Sequence, residues 1–268
     1  MRISQAIQDA LTAQGAASGT RWLLQSEAWR PMAEGVSRHI AGVPSGLTVT
    51  QLKLEKNRDI FRCSTTDRTC VAKTFPMKSL KQRLSRYRRY GPLEAANLIE
   101  ARRRGINAPE VHGFGWRSRG PLIYRTIVLM EDLGSHVTLS SLVGGADSTT
   151  PRGSLLETIA DLLLDLYRAG CNHIDLNPNN ILISPEDGDV RVIDFMYASY
   201  LAGPSTTVLA FHVAYLSDGL ARCGLPEGDI TEWAQRLLAG AGCSQDLWPL
   251  YSTFRQQRLS REERLRLI

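Results

Sequence analysis

The chain has 268 residues, 43% of them hydrophobic, and a formal net charge of +5, so it can bury a substantial core and does not have the composition of a disordered polypeptide. No run of about 18 or more apolar residues occurs, so no helix is expected to span a bilayer, and MRISQAIQDALTAQGAAS at the amino terminus mixes polar and apolar residues too often for a signal peptide. The five cysteines are odd in number and lack metal-ligand spacing, which fits thiols kept reduced in a cytosol better than a disulfide framework.

Residues 1–45 read as an N-terminal helical extension, with ISQAIQDALTA as a short amphipathic helix. After GVPSG (42–46) come three extended segments, LTVTQLKL, DIFRCS and RTCVAKTF. Turn formers such as Asn57, Asp59, Thr66 and Asp67 separate them, which predicts an antiparallel meander. A basic stretch follows. From Lys73 to Arg104 there are ten Lys or Arg against two Glu, so the rest of the chain is net acidic. KSLKQRLSRYRRY (78–90) is its densest part, either a solvated basic face or a site for an anionic partner. Tyr87 and Tyr90 are too few aromatics to make it a nucleic-acid surface, and nucleic acid is not expected as a partner.

A helix is predicted from near Pro92 to Gly105 across EAANLIEARRR, and IYRTIVLMEDLG (123–134) reads as a strand running into a loop. The pattern turns helical beyond Leu133-Gly134. TPRGSLLETIADLLLDLYRAG (150–170) has Leu155, Ile159, Leu162, Leu163 and Leu166 at helical spacing, Ser154 and Glu157 at capping-box spacing, and Gly170 as terminator. NILIS and VRVIDF flank the turn signal PEDGD and predict a hairpin. TVLAFHVAYLSDGLA and DITEWAQRLLAGA are the clearest later helices, and RQQRLSREERLRLI reads as a surface helix. The domains are therefore the extension (1–45), a β-rich unit (46–133) and a mainly helical one (134–268).

The loop between the long helix and the hairpin carries the chemistry. HIDLNPNNILI (173–183) places Asp175 and Asn180 five apart, and Asp194 lies 14 beyond Asn180, at the end of the next strand. One carboxylate can face a substrate hydroxyl, while an amide oxygen and a second carboxylate share a hard divalent cation. These are the demands of phosphoryl transfer: an oriented nucleophile and neutralised phosphate charge.

The stretch His173-Ile-Asp175-Leu-Asn-Pro-Asn-Asn180 resembles the protein-kinase catalytic loop, and Ile193-Asp194-Phe195 resembles the metal-binding segment that follows it. The resemblance implies an α+β, protein-kinase-like two-lobed fold, with a small antiparallel β-rich N-lobe holding one key helix and a mainly helical C-lobe. Val71-Ala72-Lys73 resembles the strand whose lysine holds the ATP phosphates. Glu94 or Glu100 is then its carboxylate partner, and Glu94 occupies the family position better when counted back from Gly105. Leu129 to Gly134 resembles the hinge, where the backbone of Glu131 and Leu133 would meet adenine. His173 is expected to brace the loop, since Asp175 occupies the base position. Asn177 either orients the loop or touches the acceptor.

The departures from that pattern are equally specific. EKNRDIF stands where a glycine-rich loop would be, Ile174 replaces the arginine after the histidine, Met196 replaces the glycine after the Asp-Phe pair, and no A-P-E-like element follows. Control by activation-loop phosphorylation is not expected, because the basic partner for such a phosphate is missing. Over residues 50 to 200 the pattern is similar to the small kinases that phosphorylate Kdo or heptose sugars of the lipopolysaccharide inner core; RRRGINAPEVHGFG (102–115) resembles that family's Gly, Pro and Gly pattern.

The resemblance implies an ATP- and Mg²⁺-dependent phosphotransferase acting on a lipid-linked sugar acceptor. It would be cytoplasmic and peripheral on the inner face of the inner membrane, its basic segment meeting anionic headgroups without inserting. Its positions 73, 175, 180 and 194 would converge around one nucleotide-bound cation. The alternatives are a kinase of the same fold acting on an aminoglycoside-like or choline-like alcohol or on protein, and a non-catalytic pseudokinase binding module. MYASYLAGPSTTVLAFHVAY (196–215) contains no Asp or Glu, which argues against cationic acceptors.

Overall fold

The structure, a computed structural model, describes residues 4–55, 57–145, 152–243 and 245–267. It divides into two compact units, Met1–Arg102 with Pro109–Leu133, and Arg103–Ala108 with Gly134–Ile268.

The first unit contains, in order, α1 (Gln5–Ala10), β1 (Ala13–Ala17), β2 (Thr20–Leu24), α2 (Arg30–Ile40), β3 (Thr48–Leu54), β4 (Asp59–Ser64), β5 (Thr69–Pro76), α3 (Leu80–Leu84), α4 (Gly91–Arg103), β6 (Val111–Arg119) and β7 (Leu122–Met130). The strands form one antiparallel sheet in the order β1-β2-β6-β7-β5-β4-β3, and the predicted meander is β3-β4-β5.

Residues 13–24 depart from the helical extension expected of them. They form a hairpin that turns at Ser18 and Gly19, both at positive φ, and β2 pairs with β6. Small residues gave this stretch no strand signal; burial decides it. Trp22 lies beside Gly115 so closely that a Cβ there would meet its ring at 2.7 Å, and its indole N–H donates to Ser37 Oγ of α2 at 2.8 Å. Trp29, Met32, Ala33 and Val36 from the α2 region pack with Trp22, Leu24, Ala72, Ile127 and Leu129 as the core. Each large side chain buried there contributes roughly 1.5–3 kcal/mol before ordering costs. The unit thus holds α1, α2 and α3 besides the single key helix that was anticipated, α4.

The second unit contains β8 (Val137–Thr138), α5 (Leu139–Gly144), α6 (Arg152–Arg168), β9 (Cys171–Asn172), β10 (Ile181–Ile183), β11 (Val190–Val192), β12 (Ser199–Tyr200), α7 (Thr206–Arg222), α8 (Glu227–Gly240), α9 (Trp248–Gln256) and α10 (Arg261–Leu265). The predicted hairpin is β10–β11, with β8 added on the β10 side, and β9 pairs with β12. Residues 103–108 join this unit through Asn107, whose carbonyl accepts the Val192 N–H at 3.0 Å.

Leu155, Ile159, Leu162, Leu163 and Leu166 of α6 are buried as their spacing predicts, and Gly170 ends the helix at φ +62°. Ser154 lies inside the helix and is not its cap: its carbonyl accepts the Thr158 hydroxyl at 2.9 Å, and the expected start at 150–151 falls outside the described residues. On α7, Gly219 lies against Pro178, where a Cβ would meet the proline ring at 2.4 Å. That close approach seats the 173–180 loop on a rigid helix.

Candidate active site

In the first unit Lys73 lies on β5, in register with Ile60 of β4 and Val128 of β7, and is 5% exposed. Its ammonium donates to Glu94 Oε1, and Glu94 is 1% exposed. Glu94 reaches it because α4 begins at Gly91, where a Cβ would meet Thr126 Oγ1 at 2.6 Å. Glycine therefore lets the first helical turn close on the sheet. At the end of β7 the Glu131 N–H donates to Glu110 O at 2.8 Å, and a Glu131 carboxylate oxygen accepts the Glu110 N–H at 3.0 Å. The Glu131 N–H is thus spent within the sheet. Arg62 Nε donates to Asp132 Oδ1 at 3.1 Å, tying the segment before Leu133 to β4.

Glu55 and Arg58 are bonded to each other between β3 and β4. Glu55 donates its N–H to Arg58 O at 2.9 Å, and its carboxylate receives Arg58 Nε at 2.7 Å and Lys53 Nζ at 2.6 Å. Hydrogen bonds from Lys53 and Arg58 hold the Glu55 carboxyl below its ordinary range. After β5, α3 starts with a capping box between Ser79 and Gln82. Arg83 donates to Met77 O at 3.0 Å and stacks over the Tyr124 ring, while Tyr87 is buried as an anchor. Lys81, Arg86, Arg88 and Arg89 remain exposed.

In the second unit the asparagine-rich loop is closed by its own side chains. The Asp175 carbonyl accepts Nδ2 of Asn177 and Nδ2 of Asn180, each at 2.9 Å, and Asn177 Oδ1 accepts the Asn179 N–H at 3.0 Å. Asn177 is therefore spent on orienting the loop. Asn180 commits its amide nitrogen to the loop, which leaves its oxygen as the atom chemically able to meet a cation. The Ile193 N–H donates to Asn180 O at 2.9 Å, which couples the two metal-candidate residues through the backbone. Asp194 itself is left-handed, at φ +63° and ψ +55°, a conformation that costs a non-glycine residue about 1–3 kcal/mol and clusters at functional sites.

His173 braces this segment. Its Nε2 meets Ile193 O at 3.0 Å and its ring packs edge-on against Phe195. Burial lowers its pKa against the opposing pull of the Ile193 carbonyl, Asp194 and Asp175, so the ring is neutral with the proton on Nε2. Its backbone N–H donates to Nε2 of His212 on α7 at 3.1 Å, and burial pushes the His212 pKa down to about 3.

Sequence reading missed two residues here. His212 carries no local signal, being one polar residue in an apolar helix. Arg264 lies in what reads as a surface helix, yet its Nη1 is 2.9 Å from Asp175 Oδ1 and 2.6 Å from Ile174 O. In the structure α10 starts with a capping box between Ser260 and Glu263, which places Arg264 in its last turn. Among the described residues no group of three or more His, Cys, Asp or Glu could hold a metal, and no helix is long and apolar enough to cross a membrane.

The model of the lipopolysaccharide kinase (Kdo/WaaP) family matches residues 59–199. A solved structure described as WaaP in complex with acyl carrier protein matches at a TM-score of 0.52 and 18% identity, covering 86% of this chain and 99% of that one. This likeness establishes an α+β, kinase-like fold. No curated protein sequence matches the chain.

Proposed function

The chain belongs to the lipopolysaccharide kinase (Kdo/WaaP) family, whose members are phosphotransferases acting on sugar hydroxyls, and from that premise we propose that it phosphorylates an inner-core Kdo or heptose of a lipid-linked acceptor at the cytoplasmic membrane face. Asp175 orients the sugar hydroxyl and takes its proton as the oxygen bonds to the γ-phosphorus of ATP. The bond from that phosphorus to the bridging oxygen breaks, and ADP leaves with the electron pair.

Lys73, held by Glu94, positions the phosphates, and the backbone of Glu131 and Leu133 meets adenine. Asn180 and Asp194 would hold Mg²⁺. Their amide oxygen and carboxylate suit a hard cation that draws the rest of its shell from water and phosphate oxygens. Bound there, the ion supplies neutralisation of phosphate charge. The exposed arginines after α3 meet anionic headgroups of the acceptor's membrane.

The observation that supports this reading is the loop closure, in which both Asn177 and Asn180 amides converge on the Asp175 carbonyl and hold together the residues proposed as base and metal ligand. The absence of acidic residues across 196–215 favours an anionic or neutral acceptor over an aminoglycoside-like one. Radiolabelled ATP offered side by side to lipid extracts, free sugars and generic protein should label the lipid-linked sugar. Asp175→Ala should abolish that transfer while leaving nucleotide binding largely intact. Label confined to protein or free alcohols, or turnover retained by Asp175→Ala, overturns the reading.

A further inference from the structure

We propose that Arg264 is a positioning residue for the transfer: α10 delivers a guanidinium that holds one oxygen of Asp175 and turns the other toward the acceptor hydroxyl. The proposal rests on Asp175 as the base, the reading given above.

The need arises within the loop itself. Residues 173–180 contain no Lys or Arg, since Ile174 stands in the place of the arginine that follows the histidine in protein kinases. The Asp175 carboxylate therefore has no cation from its own segment. Arg264 supplies one from 89 residues away, and it does so with a single nitrogen that bridges Asp175 Oδ1 at 2.9 Å and the Ile174 carbonyl at 2.6 Å. A donor shared between a side chain and the preceding peptide fixes the carboxylate's rotation as well as its charge. Charge-assisted bonds of this length are about twice as strong as neutral ones.

The guanidinium is itself held in place. The Arg264 carbonyl accepts Nδ2 of the fully buried Asn172 at 3.0 Å, one residue before His173. Its guanidinium carbon sits 5.1 Å from the Tyr215 ring centre on α7. The side chain is only 12% exposed, unlike the surface pairs that contribute little to stability. Its Nε–H is buried with no hydrogen-bond partner. An arginine kept there at the cost of a desolvated donor is better explained by its action on Asp175 than by stability, because Asn172 already anchors the helix.

The two carboxylate oxygens are also treated differently. Arg261 approaches Asp175 Oδ2 only to 3.8 Å, beyond hydrogen-bond range, while it stacks over Tyr197 and stays more than half exposed. With Oδ1 committed to Arg264, Oδ2 is the oxygen that receives the hydroxyl proton.

The test compares Arg264→Gln with Arg264→Lys. The glutamine keeps a polar, hydrogen-bonding side chain without charge; the lysine keeps the charge without the planar fork. Arg264→Gln should lower kcat about 100-fold, the lower end of a general-base contribution, with the KM for ATP and the unfolding temperature little changed. Arg264→Lys should recover most of kcat, and millimolar guanidinium should restore part of the activity of Arg264→Gln. Equal losses in both variants, a loss that tracks a fall in unfolding temperature, or no rescue by guanidinium overturns the proposal. Full activity in Arg264→Gln alongside an inactive Asp175→Ala also overturns it, and leaves the function proposed above standing.

Discussion

Lys73 and Glu94 form a buried ion pair, and such a pair responds asymmetrically to mutation. Removing one member strands the other charge away from water and costs about 3–5 kcal/mol, whereas replacing both is far milder. Lys73→Met should therefore lower the unfolding temperature clearly, and Lys73→Met with Glu94→Gln should recover much of the loss. Phosphoryl transfer should be lost in both proteins. A single variant as stable as the parent, or a double variant whose losses simply add, would contradict this coupling. At this scale the sequence was informative where candidate residues lie close along the chain. Asp175, Asn180 and Asp194 could be proposed as a site because a loop and a following strand end lie close along the chain. Lys73 needed a template, and choosing Glu94 over Glu100 needed a position count that the contact with Lys73 now supports. Arg264 was out of reach, since nothing in a charged terminal helix reveals which residue 89 positions earlier it will face.

The segment between β5 and α4 separates anchors from exposed cations. Arg83 and Tyr87 are spent inward, while Lys81, Arg86, Arg88 and Arg89 face solvent. Replacing Arg86, Arg88 and Arg89 with Glu should thus raise the KM for a lipid-linked acceptor in anionic vesicles while leaving the KM for ATP nearly unchanged, an effect that weakens as salt is added. An equal rise for both substrates would place the segment's role at the nucleotide. Elements with clean periodicity were legible: the β3–β5 meander, the long α6 helix and the β10–β11 hairpin all fall where their patterns put them. The β1–β2 hairpin was not, because AQGAASGT offers no alternation and Thr20 as its single β-branched residue. Its strand state comes from Trp22 and Leu24 finding partners in β6 and α2, a long-range effect.

For the whole molecule, acid should be more damaging than the modest net charge suggests. His212 is buried and neutral in the folded protein, its pKa down to about 3 from an ordinary 6.5, while the unfolded chain takes up a proton near 6.5. Stability from this group is therefore complete above pH 6.5 and is lost progressively as the pH falls toward 3. His173, shifted the same way by burial, adds to it. The unfolding temperature should drop across that window, and His212→Gln, which keeps an acceptor for the His173 N–H, should flatten the drop. Identical pH profiles for parent and variant would remove His212 as a cause.

The tight seat of Gly91 against Thr126 has an evolutionary corollary. Because the start of α4 is pinned to the sheet there, the exposed positions 81, 86, 88 and 89 can change, while Arg83 and Tyr87 keep the segment anchored, without dragging Glu94 away from Lys73. Relatives that diverged in what they dock against should vary at those exposed positions, while a bulkier residue at position 91 should be purged in all of them.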